Sequence, residues 1–423
     1  MTQGAYWGTT APLCALTWKR GRLFRQDCCR RMSVRRARAC TKEGESPLVV
    51  HLTTVHHAQD PRITYRQLPT LSAAGCRVLL VASGRPADLP THVSTVRLPP
   101  TETRLQRIPL QWTAYRTARA QAADLYHIHD PELIPVAYLL RRATGAAIIY
   151  DMHENYRSKG PVWGRVLRGL ERWALRWVDH VVLAEESYQS IVDPAPVGAT
   201  CILNYHKPWT DERPAPDLGE EGPTRLLYTG TVSRARGLDT MLRVVAGAGR
   251  DPGLRLRLVG VCNRAHERAA AEATIRDNDL GETVTRVGWD AYVPPTDMPP
   301  HYRWADVGLA LFEPHPNFAG SMPTKFYEYM HHGLPIIAAD VPLWRRFLRA
   351  HDCGVVVPPG DAEAVRDVLS RWRADPARYR ALARNARAAA PKYRWKPMGD
   401  RLVRLYRELL TARDGGSPSR ATG

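Results

Sequence analysis

No run of this 423-residue sequence stays apolar for the ~18–20 residues needed to cross a bilayer, so any membrane contact is expected to be peripheral. A C-x-x-C pair is also lacking. Of the eight cysteines, Cys14, Cys28, Cys29 and Cys40 crowd the first 46 residues, while Cys76, Cys201, Cys262 and Cys353 are scattered beyond them, with no metal-ligand spacing. Isolated cysteines of that kind are usually buried and reduced, which points to a reducing cytosol. The G-x-G-x-x-G fingerprint is missing, which argues against a nicotinamide dehydrogenase. Nucleic-acid reader motifs, Asp-rich metal motifs, internal repeats and heptad arrays are absent too. The short APLCAL run has no basic region ahead of it and is not read as a signal peptide.

Acidic residues are outnumbered, 42 against 60 basic ones, for a formal net charge of +18. Residues 1–46 hold ten Lys/Arg and three Asp/Glu, contributing +7 and leaving +11 on the body. A basic body implies an anionic partner: nucleotide, membrane surface or nucleic acid. Hydrophobic content of 44% and charged content of 24% are ordinary for a globular protein, and the length allows two domains with their own cores. Residues 1–46, Arg-rich and without apolar periodicity, are predicted to be disordered: a mobile tail, an extension ahead of a start at Met32, or a basic nucleic-acid arm.

From Leu48 strands and helices alternate. LVVHLTTVH reads as a β-branched strand, TYRQLPTLSAAG as a helix and CRVLLVAS as a second strand, together a βαβ unit. Asp60 and Arg62 lie in the intervening loop, where their opposite charges allow a plain loop ion pair. A strand from Leu125 ends at His129; Asp130 is a candidate N-cap, Pro131 the first helical residue and Gly145 the stop. AAIIYDMH is the next strand and leads into His153, Glu154 and Asn155. Ligands of open parallel sheets bind beyond the carboxyl ends of the strands, where His129 and the 151–155 loop fall. His127 is placed on the opposite face of its strand, in the core.

Residues 161–178 put Val166, Leu170, Trp173 and Trp177 on one helical face and Arg165, Arg168, Arg172 and Arg176 in a second row. Such a helix either lies on anionic lipid or is a domain helix with solvated arginines. The Pro/Gly-rich acidic stretch 208–223 reads as a linker. TRLLYTGTVSRARGLDTMLRVV then opens a second βα block, with Arg234 and Arg236 flanking its turn, either set for one diphosphate or simply solvated.

The stretch GSMPTKFYEYMHHGLPIIAAD, residues 320–340, reads as a loop, a helix beginning at Pro323, a stop at Gly333 and a strand. Ser321 and the amides of Met322, Thr324 and Lys325 then lie at a helix N-terminus, which attracts anions. Lys325 and Glu328, three apart, can face one pocket. A cation and amides for phosphate, with a carboxylate one turn deeper for ribose hydroxyls, suit a nucleotide diphosphate.

The pattern S-x-P-x-K-x-x-E-Y-M-x-x-G-L-P-I-I-A resembles the donor-binding signature of the family 4 glycosyltransferases. D-P-R-I-x-Y-R-x-x-x-x-L-x-x-A-G resembles the opening of their bacterial polysaccharide members, and H-x-H-D-P, D-x-H-E and the turn from Gly230 to Gly237 resemble further family motifs. The resemblance runs from about Leu48 to Leu410. It implies an α/β chain of the GT-B fold, with two Rossmann-like doubly wound domains facing a central cleft and a C-terminal helix returning to the first domain. The expected limits are a disordered basic extension 1–46, an acceptor-side domain 47–207, the linker 208–223, a nucleotide-sugar domain 224–395, the returning helix 396–412 and a disordered tail 413–423.

The resemblance further implies retaining transfer from a nucleotide-diphosphate sugar to a glycan, lipid-linked or small-molecule acceptor, in cell-surface polysaccharide or glycoconjugate synthesis. No metal or other cofactor is expected, and the location implied is cytoplasmic, at or near the inner face of the plasma membrane. His129, Arg236 and Lys325 would serve catalysis, His129 by touching the donor sugar and phosphate. Gly230, Arg234, Gly288, Ser321, Met322, Thr324 and Glu328 would hold the donor. Asp60, Arg62, His153, Glu154 and Asn155 would border the acceptor. Gly320 stands where the family has a first glutamate, and Glu313 is the candidate to replace it. The rival readings are a sugar-nucleotide epimerase of the same fold and a basic nucleic-acid-binding protein, although no nucleic acid is expected.

Overall fold

Apolar runs uninterrupted by polar alternation are what a parallel sheet covered on both faces demands, and they become its central strands, while LRLRLV and VTRV, which alternate, lie toward one edge of the second sheet. In this computed structural model, which describes residues 46–84, 93–101, 103, 105–153, 161–208, 222–247 and 253–414, the strands form two sheets. The first holds β1 (Leu48–Thr53), β2 (Arg77–Ser83), β3 (Thr95–Leu98), β4 (Leu125–Ile128), β5 (Ala147–Met152), β6 (His180–Leu183) and β7 (Ala199–Cys201) in the order 3-2-1-4-5-6-7. The second holds β8 (Thr224–Thr229), β9 (Leu254–Val259), β10 (Val284–Val287), β11 (Val307–Ala310), β12 (Ile336–Ala339) and β13 (Gly354–Val357) in the order 10-9-8-11-12-13. All pairings are parallel, and each sheet reverses its winding beside its first strand, between β1 and β4 and between β8 and β11. Those switch points are where a crevice opens in a doubly wound sheet.

The last helix, Trp395–Asp414, belongs in space to the first sheet. Its Trp395, Met398, Leu402, Leu405 and Tyr406 pack on Val49, Leu125 and Ile149, each fully buried large side chain being worth roughly 1.5–3 kcal/mol. Where the chain crosses back, Tyr393 O accepts from His206 N (2.9 Å) and His206 O accepts from Trp395 N (2.7 Å). Among the described residues no helix is long and apolar enough to cross a membrane. The stretches 1–45, most of the 208–223 linker (209–221) and 415–423 lie outside the described residues.

Several local expectations shift. Pro323 is extended (ψ 124°) and precedes the helix Thr324–His331 instead of beginning it, while Gly333 (φ +66°) provides the stop. Asp130 does not cap the turn after it; its carboxylate accepts from Thr53 Oγ1 (2.9 Å), Thr54 N (2.6 Å) and Val55 N (3.1 Å), stitching the end of β1 to the end of β4. His127 is in the core but not on the face opposite His129. Side chains two apart along a strand return to one face, and the two rings stack with centroids 4.5 Å apart.

Candidate functional site

The ends of β8, β9 and β11 face the loop after β1 across a cavity of about 710 Å³. The second domain supplies Thr229, Gly230 and Thr231 from the end of β8, Val259 to Val261 from the end of β9, Asp290 to Val293, and Ser321, Pro323, Thr324, Lys325 and Glu328. The first domain supplies His57, Asp60, Pro61, Tyr65, Arg66 and His206.

Arg236 reaches the cavity from a single 3-10 turn, Arg234–Arg236, that ends on Gly237. Gly237 has φ +85°, and a Cβ there would lie 1.9 Å from Leu311 O, so only glycine lets this turn seat against the end of β11. A Cβ built on Gly230 would lie 3.6 Å from Arg236 Nη1 and 3.8 Å from Lys325 Nζ, which measures how closely the two cations converge. Lys325 is 5% exposed; its ammonium rests over the rings of Tyr228 (4.1 Å) and Phe312 (4.4 Å), and among the described residues no carboxylate forms an ion pair with it. Burial, then the Arg236 charge, hold its pKa well below the ordinary lysine value, with Glu328 opposing. Glu328, one turn on, accepts from the Tyr302 hydroxyl (2.7 Å), which in turn stacks on His332 (4.5 Å). Two converging cations beside the start of a helix, with an oriented carboxylate deeper in, form a site for a phosphorylated ligand bearing hydroxyls.

Other expected donor contacts lie elsewhere. Arg234 pairs with Asp239 (3.2 Å) at the surface and does not line the cavity. Gly288 (φ +70°) makes the turn that brings Asp290 to Val293 to the wall and does not line it. The Met322 amide is taken by the Glu185 carboxylate of the first domain, whose pKa burial pushes up to about 7. Gly320 O accepts from Ser187 Oγ (3.0 Å), so this loop is held from the first domain on both sides. Glu313 does not reach in: it accepts from Thr240 Oγ1 (3.2 Å) and is absent from the cavity wall.

The first-domain histidines and charges turn inward. His129 is 0% exposed and does not line the cavity, contrary to its expected contact with the donor. It belongs to a chain of rings: Tyr406 Oη to His51 Nε2 (3.1 Å), His51 Nδ1 to His129 Nε2 (2.9 Å), and His129 Nδ1 to His153 Nε2 (2.9 Å). Burial, then His127, hold the pKa of His51 and of His129 well below the ordinary histidine value. Asp151 closes the network, 3.3 Å from His153 and 3.4 Å from His127. Although burial opposes it, Arg62 and the histidines hold its carboxyl well below the usual range.

Arg62 is likewise a correction. Its guanidinium is spent on Asp151 inside the domain and does not border the cleft. Asp60 is at the cleft, but its Oδ1 accepts from the amides of Arg62 (2.8 Å) and Ile63 (3.1 Å). Glu154 and Asn155 lie outside the described residues. By distance, His51, His127 and His129, the set His129, Asp151 and His153, and the set His206, His331 and His332 could each hold a metal ion among the described residues. In the first two sets the nitrogens already meet one another, Tyr406 or Asp151. Reading by motif missed Arg66, His206, Tyr292 and Tyr302; only Arg66 had a signal, standing in the D-P-R-I-x-Y-R string four residues after Arg62.

Comparison with known proteins matches residues 62–192 to the Glycosyltransferase Family 4 model and residues 223–375 to the model of Glycosyl transferases group 1. A D-inositol 3-phosphate glycosyltransferase of Saccharomonospora viridis is 29% identical over 194 residues, 44% of this chain and 43% of the relative. A phosphatidyl-myo-inositol mannosyltransferase of Mycobacterium leprae is 35% identical over 26% of this chain and 28% of its own length. The chain thus spans under half the length of these curated relatives. Among solved structures, sucrose-phosphate synthase from Thermosynechococcus elongatus (TM-score 0.67, 22% identity) and Anabaena HepE in complex with UDP-glucose (TM-score 0.66, 15% identity) each align over 86% of this chain and 100% of their own. At those identities the likeness establishes the fold, GT-B.

Proposed function

The chain belongs to the glycosyltransferases of family 4 and group 1, and from that premise we propose that it moves a sugar, with retention of configuration, from a nucleoside-diphosphate donor to an acceptor hydroxyl. The observation carrying this reading is the convergence of Arg236 and Lys325 on Gly230, at the start of the helix that bears Glu328. In the reaction the bond from the sugar's anomeric carbon to the diphosphate breaks and a bond to the acceptor oxygen forms on the same face. The acceptor proton passes to an oxygen of the leaving phosphate. Negative charge grows on that diphosphate, and Arg236, Lys325 and the helix amides are preorganised to stabilise it. Those groups support a transfer that needs no divalent metal, checked by activity in a chelator. Glu328, aligned by Tyr302, takes the ribose hydroxyls. His129, bonded to His153 and with neither ring on the cavity wall, holds the first-domain histidine network together and is not a substrate ligand.

HepE, of like fold, is complexed with UDP-glucose, which makes that the first donor to test. A role in cell-surface polysaccharide or glycoconjugate synthesis, on the cytoplasmic face of a membrane, is supported by one surface. Six of the seven exposed large apolar side chains among the described residues (Leu105, Ile108, Trp112, Leu139, Trp163 and Val166) lie on or beside three neighbouring helices, with arginines interspersed. Apolar groups amid arginines suit an anionic bilayer and hence a lipid-linked acceptor.

The test is protection against heat by UDP-, GDP- and ADP-sugars, followed by NMR of the product's anomeric configuration with lipid and soluble acceptors. Stabilisation by one donor and acceptor-dependent release of its nucleotide are expected. Protection by no sugar nucleotide overturns the reading, and an epimerised sugar formed without acceptor transfers it to the epimerase alternative.

A further inference from the structure

Two buried arginines in the first domain are treated in opposite ways. Arg62, 3% exposed, is saturated: Nε and Nη2 donate to Asp151 (3.0 and 2.9 Å), and Nη1 donates to Ile202 O (2.5 Å) and Asn204 Oδ1 (2.8 Å). Arg66 lies four residues on, in a π-helical turn spanning Ile63–Gln67, and is 6% exposed. No hydrogen bond or ion pair engages its guanidinium among the described residues; its Nε is buried and unpartnered, and the side chain lines the cavity. Next to it His206, also 6% exposed, lines the same cavity with its Nε2 unpartnered. Two carboxylates favour the Arg66 charge from a distance, Glu328 and then Asp60, but among the described residues neither forms a hydrogen bond or ion pair with it, and the Asp60 Oδ1 is held by two backbone amides.

A guanidinium withdrawn from water without a partner is destabilising, and buried polar groups left open are rare enough to require a reason. π-Helical turns, which strain the ladder, recur at functional sites. The opposite wall already carries Arg236, Lys325 and a helix start for the donor diphosphate, so this cation is additional to that need.

We propose that Arg66 and His206 form a second anion subsite, on the first-domain wall, that takes a phosphate group of the acceptor. This rests on the donor assignment above only for the word acceptor; the subsite itself rests on the two open side chains. A phosphate presents several acceptor oxygens, enough to engage the Arg66 fork and the His206 Nε2–H together. The phosphate can be that of a soluble monoester or of a lipid headgroup.

The test titrates inorganic phosphate into the full-length chain saturated with UDP, so that the donor wall is filled, and reads binding by calorimetry. Saturable binding is expected, weakened at least tenfold by Arg66→Met and several-fold by His206→Gln. The ligand-free Arg66→Met protein should melt at the same temperature as wild type or higher, because an unpartnered buried charge has been removed; a purely structural arginine would instead lower it. Absence of phosphate binding in the UDP-saturated protein, or binding indifferent to Arg66→Met, overturns the subsite. If UDP does not bind, the donor assignment fails separately, and the same titration without nucleotide still decides the subsite through Arg66→Met. Competition by glycerol phosphate identifies a soluble ester as the occupant, and competition only by short-chain phosphatidylglycerol identifies a headgroup; competition by neither overturns the acceptor assignment.

Discussion

The two domains share a winding, yet two of their deeply buried cations, Arg62 and Lys325, are disposed of in opposite ways. In the first, Arg62, Asp151, Asp130 and the histidines find their partners within the domain, so the charge is cancelled inside the fold. In the second, Lys325 is as deeply buried, yet it sits beside another cation and two aromatic rings, with Glu328 favouring its charge but not ion-paired to it. Saturated charge holds a fold together, and open charge waits for a ligand. Arg66, on the first-domain wall, is treated as Lys325 is.

The most direct way to break this contrast is to remove one charge from each side. Arg62→Met leaves Asp151 buried without its guanidinium and should lower stability by about 3–5 kcal/mol in urea unfolding. Lys325→Met should leave stability unchanged or higher while abolishing nucleotide binding. Equal destabilisation by both would end the distinction. Next in size, Arg236→Ala should weaken nucleotide binding at least tenfold, since one charge-assisted bond is worth about 1.5–3 kcal/mol; unchanged calorimetric affinity would remove Arg236 from the site.

The pH dependence of folding sharpens the same point. Burial depresses the pKa of His51, His127 and His129 in the folded chain. Unfolded, they protonate near pH 6.5, so their contribution is present above that value and is lost as pH falls below it. Asp151, depressed from 3.8, extends the loss into stronger acid. Glu185, raised from 4.5 to about 7, has the opposite slope, but it is one group against three. The urea midpoint should therefore fall as pH drops from about 7 to 5, and His51→Gln should flatten the slope by at most about 1.4 kcal/mol per pH unit. A steeper or unchanged slope in that variant would contradict the buried neutral histidine. Smallest of all, Arg234→Ala breaks only an exposed pair with Asp239 and should alter stability by less than about 1 kcal/mol, with nucleotide affinity near wild type.

Much of the architecture was legible because parallel strands buried on both faces are continuous apolar words, and because Gly145 and Gly333 end helices where glycine must. Lys325 and Glu328 were legible for a similar reason: helical spacing is local. His129 was not, since its partner His51 arrives from 78 residues away, itself held by Tyr406 from the far helix, and the ring turns inward. Nor does linear spacing separate Arg62 from Arg66. Which of the two meets Asp151 depends on a strand that lies 89 residues beyond Arg62. Glu313 fails as a substitute for the missing glutamate because Thr240 holds it, while Glu185, from the other domain, approaches that loop unannounced.

The crossing at His206 and Trp395 has a practical consequence for anyone cutting this chain into pieces. A fragment stopping at the linker would bare the sheet surface around Val49, Leu125 and Ile149. The helix that covers it, Trp395–Asp414, comes from beyond the second domain in the chain, so that fragment should aggregate unless the closing helix is grafted back, by fusion or as a peptide added in trans.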